Sequence, residues 1–312
     1  MNFDEHLFRA SQSYHLTTGT IGITNEQEKR IESFISERDN GINANGNKVK
    51  WTDNKKKELE KLIYNKENPE IPKGMKTELR KIYRAKKYNR KFLFTNKYVK
   101  KGISQEEESF SVYQRWLKEV KGINFLLRNN KERIENEFFT GETDVNKHFY
   151  EKFRWGFDIK TSWSLETFPF EEDDLDPLYE WQDLVYMDLT NVDTWKTVYV
   201  LVNSTESTLH NEKMKYFYAN DMDKSDRHEK KYNEICRDLE RLHIVDYDRF
   251  VYLYPGHQLE IQKKEWHDNN WDMPLEDRVL EKVVEFDNEK IDFLKTRVEI
   301  ARDYLNKLNI KT

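Results

Sequence analysis

"GFDIKTSW", residues 156–163, has the composition of a β-strand and carries two charged residues of opposite sign. Because side chains alternate along a strand, Asp158 and Lys160 are predicted to project from one face, while Ile159 points into the core. An ion pair on a solvated strand and a chemical site are both consistent with this pattern. The residues around the stretch decide between the two interpretations.

The composition predicts a folded protein of the reducing cytoplasm. Aromatic residues make up 14% of the 312 residues, whereas disordered chains are poor in aromatics. Cys236 is the single cysteine, so an intramolecular disulfide is excluded. The sequence has no apolar run of transmembrane length and no signal peptide at its N-terminus, so we expect a cytoplasmic protein without membrane contact.

The charge is unevenly distributed along the chain. Residues 47–101 contain 19 Lys and Arg against 6 Asp and Glu, a net charge of +13, although the whole chain has a net charge of -5. Such asymmetry indicates a polyanionic partner, and solvated helix faces are the competing explanation. The aromatic residues interleaved with these charges are suited to stacking on bases: Tyr88, Phe92 and Tyr98. The residues predicted to contact DNA are Lys86, Lys87, Arg90 and Lys91.

The periodicity predicts a helical first third and an α/β remainder. Helices are predicted over 25–39, 52–66, 73–92 and 104–120, with Thr52 as an N-cap and Ser104 with Glu107 as a capping box. Two strands over 136–146 and 152–163 are predicted to be joined by a turn or loop. A helix over 176–190, a strand over 195–203, a charged helix over 223–243, a strand over 278–286 and a helix over 288–308 follow.

This order of elements predicts an α/β fold, with a small central mixed sheet flanked by helices and with helical additions at both ends. We expect a single domain over 1–312. It comprises a helical, lysine-rich part over 1–100, a core over 101–204 and a C-terminal addition of helices and a strand over 205–312.

Asp144 adds a second carboxylate 14 residues before Asp158, on the neighbouring predicted strand. Adjacent strands lie about 4.8 Å apart, so two such carboxylates are able to converge on one or two divalent cations. Mg²⁺ takes oxygen ligands and keeps waters and sites for a substrate phosphate. Beside it, the Lys160 ammonium would hold the attacking water and stabilise the charge that builds on the phosphoryl group.

These residues resemble a known family. Asp144 in "GETD" and Asp158-x-Lys160 in "DIK" are similar to the signature of the PD-(D/E)XK nuclease superfamily. "QDLVY", residues 182–186, resembles the Gln-x-x-x-Tyr motif of its RecB-like and lambda-exonuclease-like branch, and "KGISQEEE", residues 101–108, resembles the upstream Gly-x-x-x-Glu. "RAS", residues 9–11, is similar to the opening of YqaJ-like viral recombination exonucleases.

The resemblance implies a restriction-endonuclease-like core and a magnesium- or manganese-dependent exonuclease that hydrolyses DNA in phage or prophage recombination. Asp144, Asp158 and the Ile159 carbonyl would then bind the metal, supported by Glu106, although Glu107 is its neighbour and competes for this register. Lys160 would position the nucleophilic water. The motif-bearing resemblance covers roughly 101–203, and many relatives carry Glu where this chain has Asp158.

The Gln-x-x-x-Tyr helix has a supporting role in this interpretation. Gln182 would orient the site or contact the DNA backbone, and Tyr186 would pack beneath it or contact DNA. The family also implies DNA and a single-strand annealing protein as partners, a homo-oligomer, and a bacterial or phage-infected host cell. A site-specific endonuclease of the same superfamily and an inactive nucleic-acid-binding protein are the alternatives, and the Gln-x-x-x-Tyr motif favours the exonuclease.

Overall fold

The protein is described by a computed structural model that covers residues 2–43, 45–93, 95–128, 130, 132–222 and 229–310. The chain folds into two compact units. The first comprises Met1–His6, Gln12–Phe92 and Asp292–Thr312, and the second Leu7–Ser11 and Leu93–Ile291. That the whole chain acts as a single domain stays a prediction.

The helices and strands of the described residues are numbered in chain order. The helices are α1 Tyr14–Thr17, α2 Asn25–Asn40, α3 Asp53–Glu67, α4 Lys73–Lys87, α5 Lys97–Glu119, α6 Lys147–Phe153, α7 Pro177–Thr190, α8 Glu206–Ala219, α9 Glu229–His243, α10 Tyr247–Leu253, α11 Lys263–Asp268 and α12 Asn288–Ile310. The strands are β1 Phe8–Arg9, β2 Arg133–Glu135, β3 Phe139–Glu142, β4 Trp155–Thr161, β5 Thr194–Val200 and β6 Val279–Glu285. Short 3₁₀ helices lie at Ala10–Gln12, Leu165–Thr167 and Leu275–Arg278.

The first unit is built from helices, as the periodicity predicts. The Thr52 side chain accepts a hydrogen bond from the Lys55 N–H, which confirms the predicted N-cap of α3. Apolar residues of α2 and α3 form one buried cluster that consists of Ile31, Phe34, Leu59 and Leu62. Ile35, which lies next to Phe34 at helical spacing from Ile31, is exposed. The helix predicted over 73–92 ends at Lys87.

The second unit contains two small three-stranded sheets. In one, β3 lies between β1, which is parallel to it, and β2, which is antiparallel. In the other, β5 lies between β4, which is parallel to it, and β6, which is antiparallel. Helices flank these mixed sheets, so the predicted α/β fold class is confirmed. Asp158 pairs with Thr197 and Lys160 with Tyr199 in the register of β4 and β5.

The predicted connection between the first two strands is wrong. A helix, α6, separates β3 from β4, and the two strands belong to different sheets. Asn146 caps α6 by accepting from the Phe149 N–H at 3.2 Å. Phe149 is fully buried, and its ring meets the edge of the Phe157 ring at 5.2 Å. The aromatic residues of this segment therefore form a helix because one of its faces packs on β4.

Helix α5 begins earlier than predicted. Its N-cap is Asn96, which accepts from the Val99 N–H at 2.8 Å, so the predicted capping box at Ser104 is wrong. The Ser104 hydroxyl donates instead to the Lys101 carbonyl at 3.1 Å. The helix is kinked at Gln105, whose φ of -125° and ψ of 15° are not helical.

A polar stripe on α5 explains where the helix lies. Lys101, Gln105 and Ser109 are buried and four residues apart, so they share one face. The Lys101 ammonium donates to the Trp163 carbonyl at 2.7 Å, and the Gln105 amide donates to the Asn203 carbonyl. These bonds attach α5 to the segments that follow β4 and β5, at the carboxyl ends of the two parallel strands.

The last third agrees with the periodicity where it is described. Strand β6 and helix α12 lie within about two residues of the predicted ranges. The helix predicted over 223–243 is present from Glu229 to His243, and residues 223–228 lie outside the described residues. Among the helices of the described residues, none has both the length and the apolar character needed to cross a membrane.

Candidate active site

Strand β4 places Asp158 and Lys160 side by side. The Asp158 side chain is buried, and its carboxylate forms an ion pair with the Lys160 ammonium. Both residues project from the same face of the strand, as its alternation predicts. Ile159 was expected in the core but is only half-buried.

Asp144 reaches the free edge of β4 from the segment that follows β3. Its Oδ2 accepts a hydrogen bond from the Ile159 N–H at 2.6 Å, so a backbone group on the unpaired edge is satisfied by a side chain. Asp144 thereby lies next to Asp158 without strand pairing. Burial raises the pKa of the Asp144 carboxyl well above its ordinary value, and the negative charge of Asp158 raises it further.

A chain of hydrogen bonds connects Lys160 to helix α7. The ammonium donates to Gln182 Oε1 at 3.2 Å, and Gln182 Nε2 donates to the Tyr186 hydroxyl at 3.0 Å. The hydroxyl in turn donates to the Glu142 carbonyl at 3.0 Å. Gln182 and Tyr186 act together because residues four apart share a helix face. The four groups connect β4, α7 and β3.

The charge of Lys160 follows from these neighbours. Burial would lower the pKa of the ammonium, but the carboxylate of Asp158 outweighs burial and raises the pKa above its ordinary value. Lys160 is therefore a cation at neutral pH. It is a hydrogen-bond donor and has no free electron pair with which to accept a proton.

A cavity of about 440 Å³ opens beside Asp144. Glu106 and Glu107 both line it, so both candidates for the acidic residue of the Gly-x-x-x-Glu motif face the same cavity. Glu106 is the one whose negative charge contributes to raising the pKa of Asp144. The other residues of the cavity wall are Ile103, Ser104, Asn130, Glu142 and Thr143.

The acidic residues of the site fit a hard divalent cation. Asp144 and Asp158 offer carboxylate oxygens only, and their mutual repulsion is relieved when a cation binds between them. Within the described part of the chain, no group of three or more His, Cys, Asp and Glu residues is arranged to hold a metal ion. Two carboxylates, with water and a substrate phosphate as further ligands, match the way in which Mg²⁺ is commonly bound.

Other predicted site residues belong to the first unit or have bonds of their own. Lys86, Lys87, Arg90 and Lys91 belong to the first compact unit and are exposed. The Lys86 ammonium lies 4.6 Å from the Phe3 ring centroid. Their contact with DNA stays a prediction, as does metal binding by the Ile159 carbonyl. Tyr186 is buried and bonded to protein, which indicates packing beneath Gln182.

Two residues of α7 were missed by the sequence reasoning. The Lys160 ammonium lies over the Tyr179 ring, 4.4 Å from its centroid. Asp183 is fully buried and accepts from the Thr197 hydroxyl at 2.6 Å. Burial raises the pKa of Asp183 well above its ordinary value, and Asp158 raises it further. Tyr179 lies about one helical turn before Gln182, and this spacing indicates that the two side chains share a face. The sequence around Asp183 contains no comparable indication of its place near the site.

Two glycines allow the elements around the site to approach closely. A Cβ at Gly141 would lie 2.8 Å from a ring carbon of Tyr186, so glycine lets that ring reach β3. A Cβ at Gly156 would overlap the Trp195 ring on the neighbouring strand.

Comparison with known proteins gives a match in structure and none in sequence. No protein-family model matches the chain, and no curated protein matches it. A phage related exonuclease from Haemophilus somnus 129PT superposes with a TM-score of 0.58 over 98% of this chain and 96% of that one, at 18% identity. This chain shares that protein's fold. An alkaline exonuclease (LHK-Exo) from Laribacter hongkongensis superposes with a TM-score of 0.42 over 78% of this chain and 88% of its own, at 11% identity.

Proposed function

We propose that this protein is a metal-dependent DNA exonuclease that hydrolyses phosphodiester bonds from duplex ends in phage or prophage recombination. One observation carries the proposal: Asp144, Asp158, Lys160 and Gln182 meet at one edge of a small sheet. The fold shared with a phage related exonuclease supports the same activity. The resemblance to the PD-(D/E)XK signature supplies the order of these residues along the chain.

The two carboxylates are the residues that would hold the metal ion. Asp144 and Asp158 would bind it, and Glu106 would support it directly or through water from the cavity wall. Mg²⁺ or Mn²⁺ bound there supplies positive charge next to the scissile phosphate. The Ile159 carbonyl is a further proposed ligand on the same strand.

Lys160 works as a charged donor in this proposal. The Asp158 carboxylate raises the pKa of the ammonium, so Lys160 is a hydrogen-bond donor at neutral pH. It orients the attacking water and stabilises the negative charge that develops on the phosphoryl oxygens. Gln182 holds the ammonium in place and is itself held by Tyr186.

Digestion of two DNA substrates tests the proposal. Purified protein is incubated with end-labelled linear duplex and with closed circular DNA, each in the presence of Mg²⁺, Mn²⁺ or EDTA. We expect loss of the linear substrate with either metal, no loss in EDTA and an intact circle. Cutting of the circle would favour a site-specific endonuclease. DNA binding without cleavage would favour the inactive binding protein, and either result would overturn the proposal.

Partners and assembly are further proposals. The resemblance favours a single-strand annealing protein that receives the product strand, and a homo-oligomer. The sedimentation of the purified chain, alone and with DNA, measures the second of these directly.

A further inference from the structure

The ammonium of Lys160 is surrounded on three sides. The Asp158 carboxylate forms an ion pair with it, Gln182 Oε1 accepts a hydrogen bond from it, and the Tyr179 ring lies against it with its centroid 4.4 Å from Nζ. A lysine ammonium is a compact charge on a flexible four-carbon stem. Two oxygen partners alone fix its direction loosely, and the aromatic face is a third contact that restricts it.

The backbone of Tyr179 is fixed by the first turn of α7. Asp176 caps this turn by accepting from the Leu178 N–H at 2.8 Å, and its carbonyl accepts from the Tyr179 N–H at 2.9 Å. Pro177 occupies the first turn, where its fixed φ is compatible with a helix. The Tyr179 backbone is therefore held by local helix geometry, independently of Lys160.

Tyr199 supports the ring from strand β5. Its ring meets the Tyr179 ring edge to face, with centroids 6.2 Å apart and planes at 65°. Tyr199 is also the register partner of Lys160 across β4 and β5. Tyr179 is half-buried in this arrangement, so solvent reaches part of the ring while one face remains against the ammonium.

We propose that Tyr179 is a positioning residue for Lys160, whose ring face keeps the ammonium directed at the reacting phosphate through a cation–π contact. This inference rests on the proposed nuclease function. Cation–π attraction depends on the ring and not on its hydroxyl. The contribution of Tyr179 is thus expected to survive Tyr179→Phe and to be lost in Tyr179→Leu.

A pair of variants separates positioning from packing. In Tyr179→Leu we expect kcat for duplex hydrolysis to fall by roughly 5- to 30-fold, with KM nearly unchanged, because one cation–π contact is removed. In Tyr179→Phe we expect kcat within about threefold of the parent. A leucine variant as fast as the parent, or a phenylalanine variant as slow as the leucine variant, would overturn the proposal.

A spectroscopic measurement tests the contact without DNA. Protein labelled with ¹³C at the lysine ε-carbon should show one ε-methylene signal shifted upfield by the Tyr179 ring, assigned by its loss in Lys160→Arg. The upfield shift should persist in Tyr179→Phe and disappear in Tyr179→Leu. If the leucine variant does not fold, Tyr179→Met takes its place. A shift that survives removal of the ring would overturn the inference. If the parent chain cleaves no DNA, the proposed function fails, whereas this measurement still decides the contact.

Discussion

Among single residues, Lys101 on α5 has a pKa that is altered by burial. Its ammonium is buried and donates to the Trp163 and Val202 carbonyls at 2.7 and 3.4 Å. Burial lowers its pKa from 10.5 to about 7. The neighbouring His243 has a pKa lowered to about 4 by its own burial and then by Lys101, so the two groups titrate in separate ranges.

Replacement of Lys101 should change how stability depends on pH. Between pH 7 and 10.5 the unfolded chain binds more protons at this residue than the folded one, so the free energy of unfolding rises with pH in this window. The rise from one such group is at most about 1.4 kcal/mol per pH unit. We expect Lys101→Met to remove it. Urea denaturation at pH 7, 8 and 9 measures the slope, and equal slopes in parent and variant would contradict the account.

At the scale of the element, strand β4 depends on close contact with β5. Gly156 lies opposite Trp195, whose fully buried ring occupies the space where a side chain at Gly156 would begin. The Trp195 ring also contacts the Tyr186 ring of α7, with the centroids 5.3 Å apart and the planes tilted by 37°. This packing fixes the strand that carries Asp158 and Lys160.

A methyl group at Gly156 should therefore be destabilising. We expect Gly156→Ala to lower the free energy of unfolding by about 1–3 kcal/mol, the usual cost of overpacking. Gly256→Ala is the matched control, because a Cβ there meets nothing within 4 Å and the change should be nearly neutral. Equal stability of the two variants in thermal or urea unfolding would show that the Trp195 ring does not exclude a side chain at residue 156.

Most elements were predictable from local patterns, whereas their contacts were not. The Thr52 cap of α3 and the apolar period of α7 are local signals, so both helices were found. Helix α6 was missed because its seven residues are fewer than periodicity requires. The start of α5 was missed although its N-cap, Asn96, is a local signal. The contacts of Lys101 and Gln105 were not predictable, because they reach residues about one hundred positions away along the chain.

The candidate site shows the same division between local and distant information. The alternation of β4 predicted that Asp158 and Lys160 share a face, and the helical period predicted that Gln182 and Tyr186 do. The sequence predicts that Asp144 approaches Asp158 through pairing of their strands, and this pairing is absent. A side-chain bond to the free edge of β4 replaces it, and only the folded chain reveals such a bond.

For the molecule as a whole, the uneven charge predicts that the basic segment over 47–101 contacts DNA if the proposed function is correct. The fourfold charge-reversal variant at Lys86, Lys87, Arg90 and Lys91 should bind DNA more weakly. The slope of log K against log salt should fall by about 0.9 for each phosphate that the variant no longer neutralises. The control carries the same reversal at exposed lysines of the second unit: Lys118, Lys121, Lys147 and Lys215. Fluorescence anisotropy over a salt series measures both. Equal slopes in the two variants would show that these four basic residues do not contact the phosphates of DNA.

In the proposed function, one site, built on β4 and α7, performs the hydrolysis. Its most direct test is the initial rate of label release from end-labelled linear duplex by Lys160→Ala. The matched control is Lys196→Ala on the neighbouring strand β5. The Lys196 ammonium forms an ion pair with the Glu281 carboxylate at 3.0 Å. We expect Lys160→Ala to lose about 100-fold or more in rate, and Lys196→Ala to stay within about threefold of the parent. A Lys160→Ala variant that cleaves as fast as the parent would contradict the account.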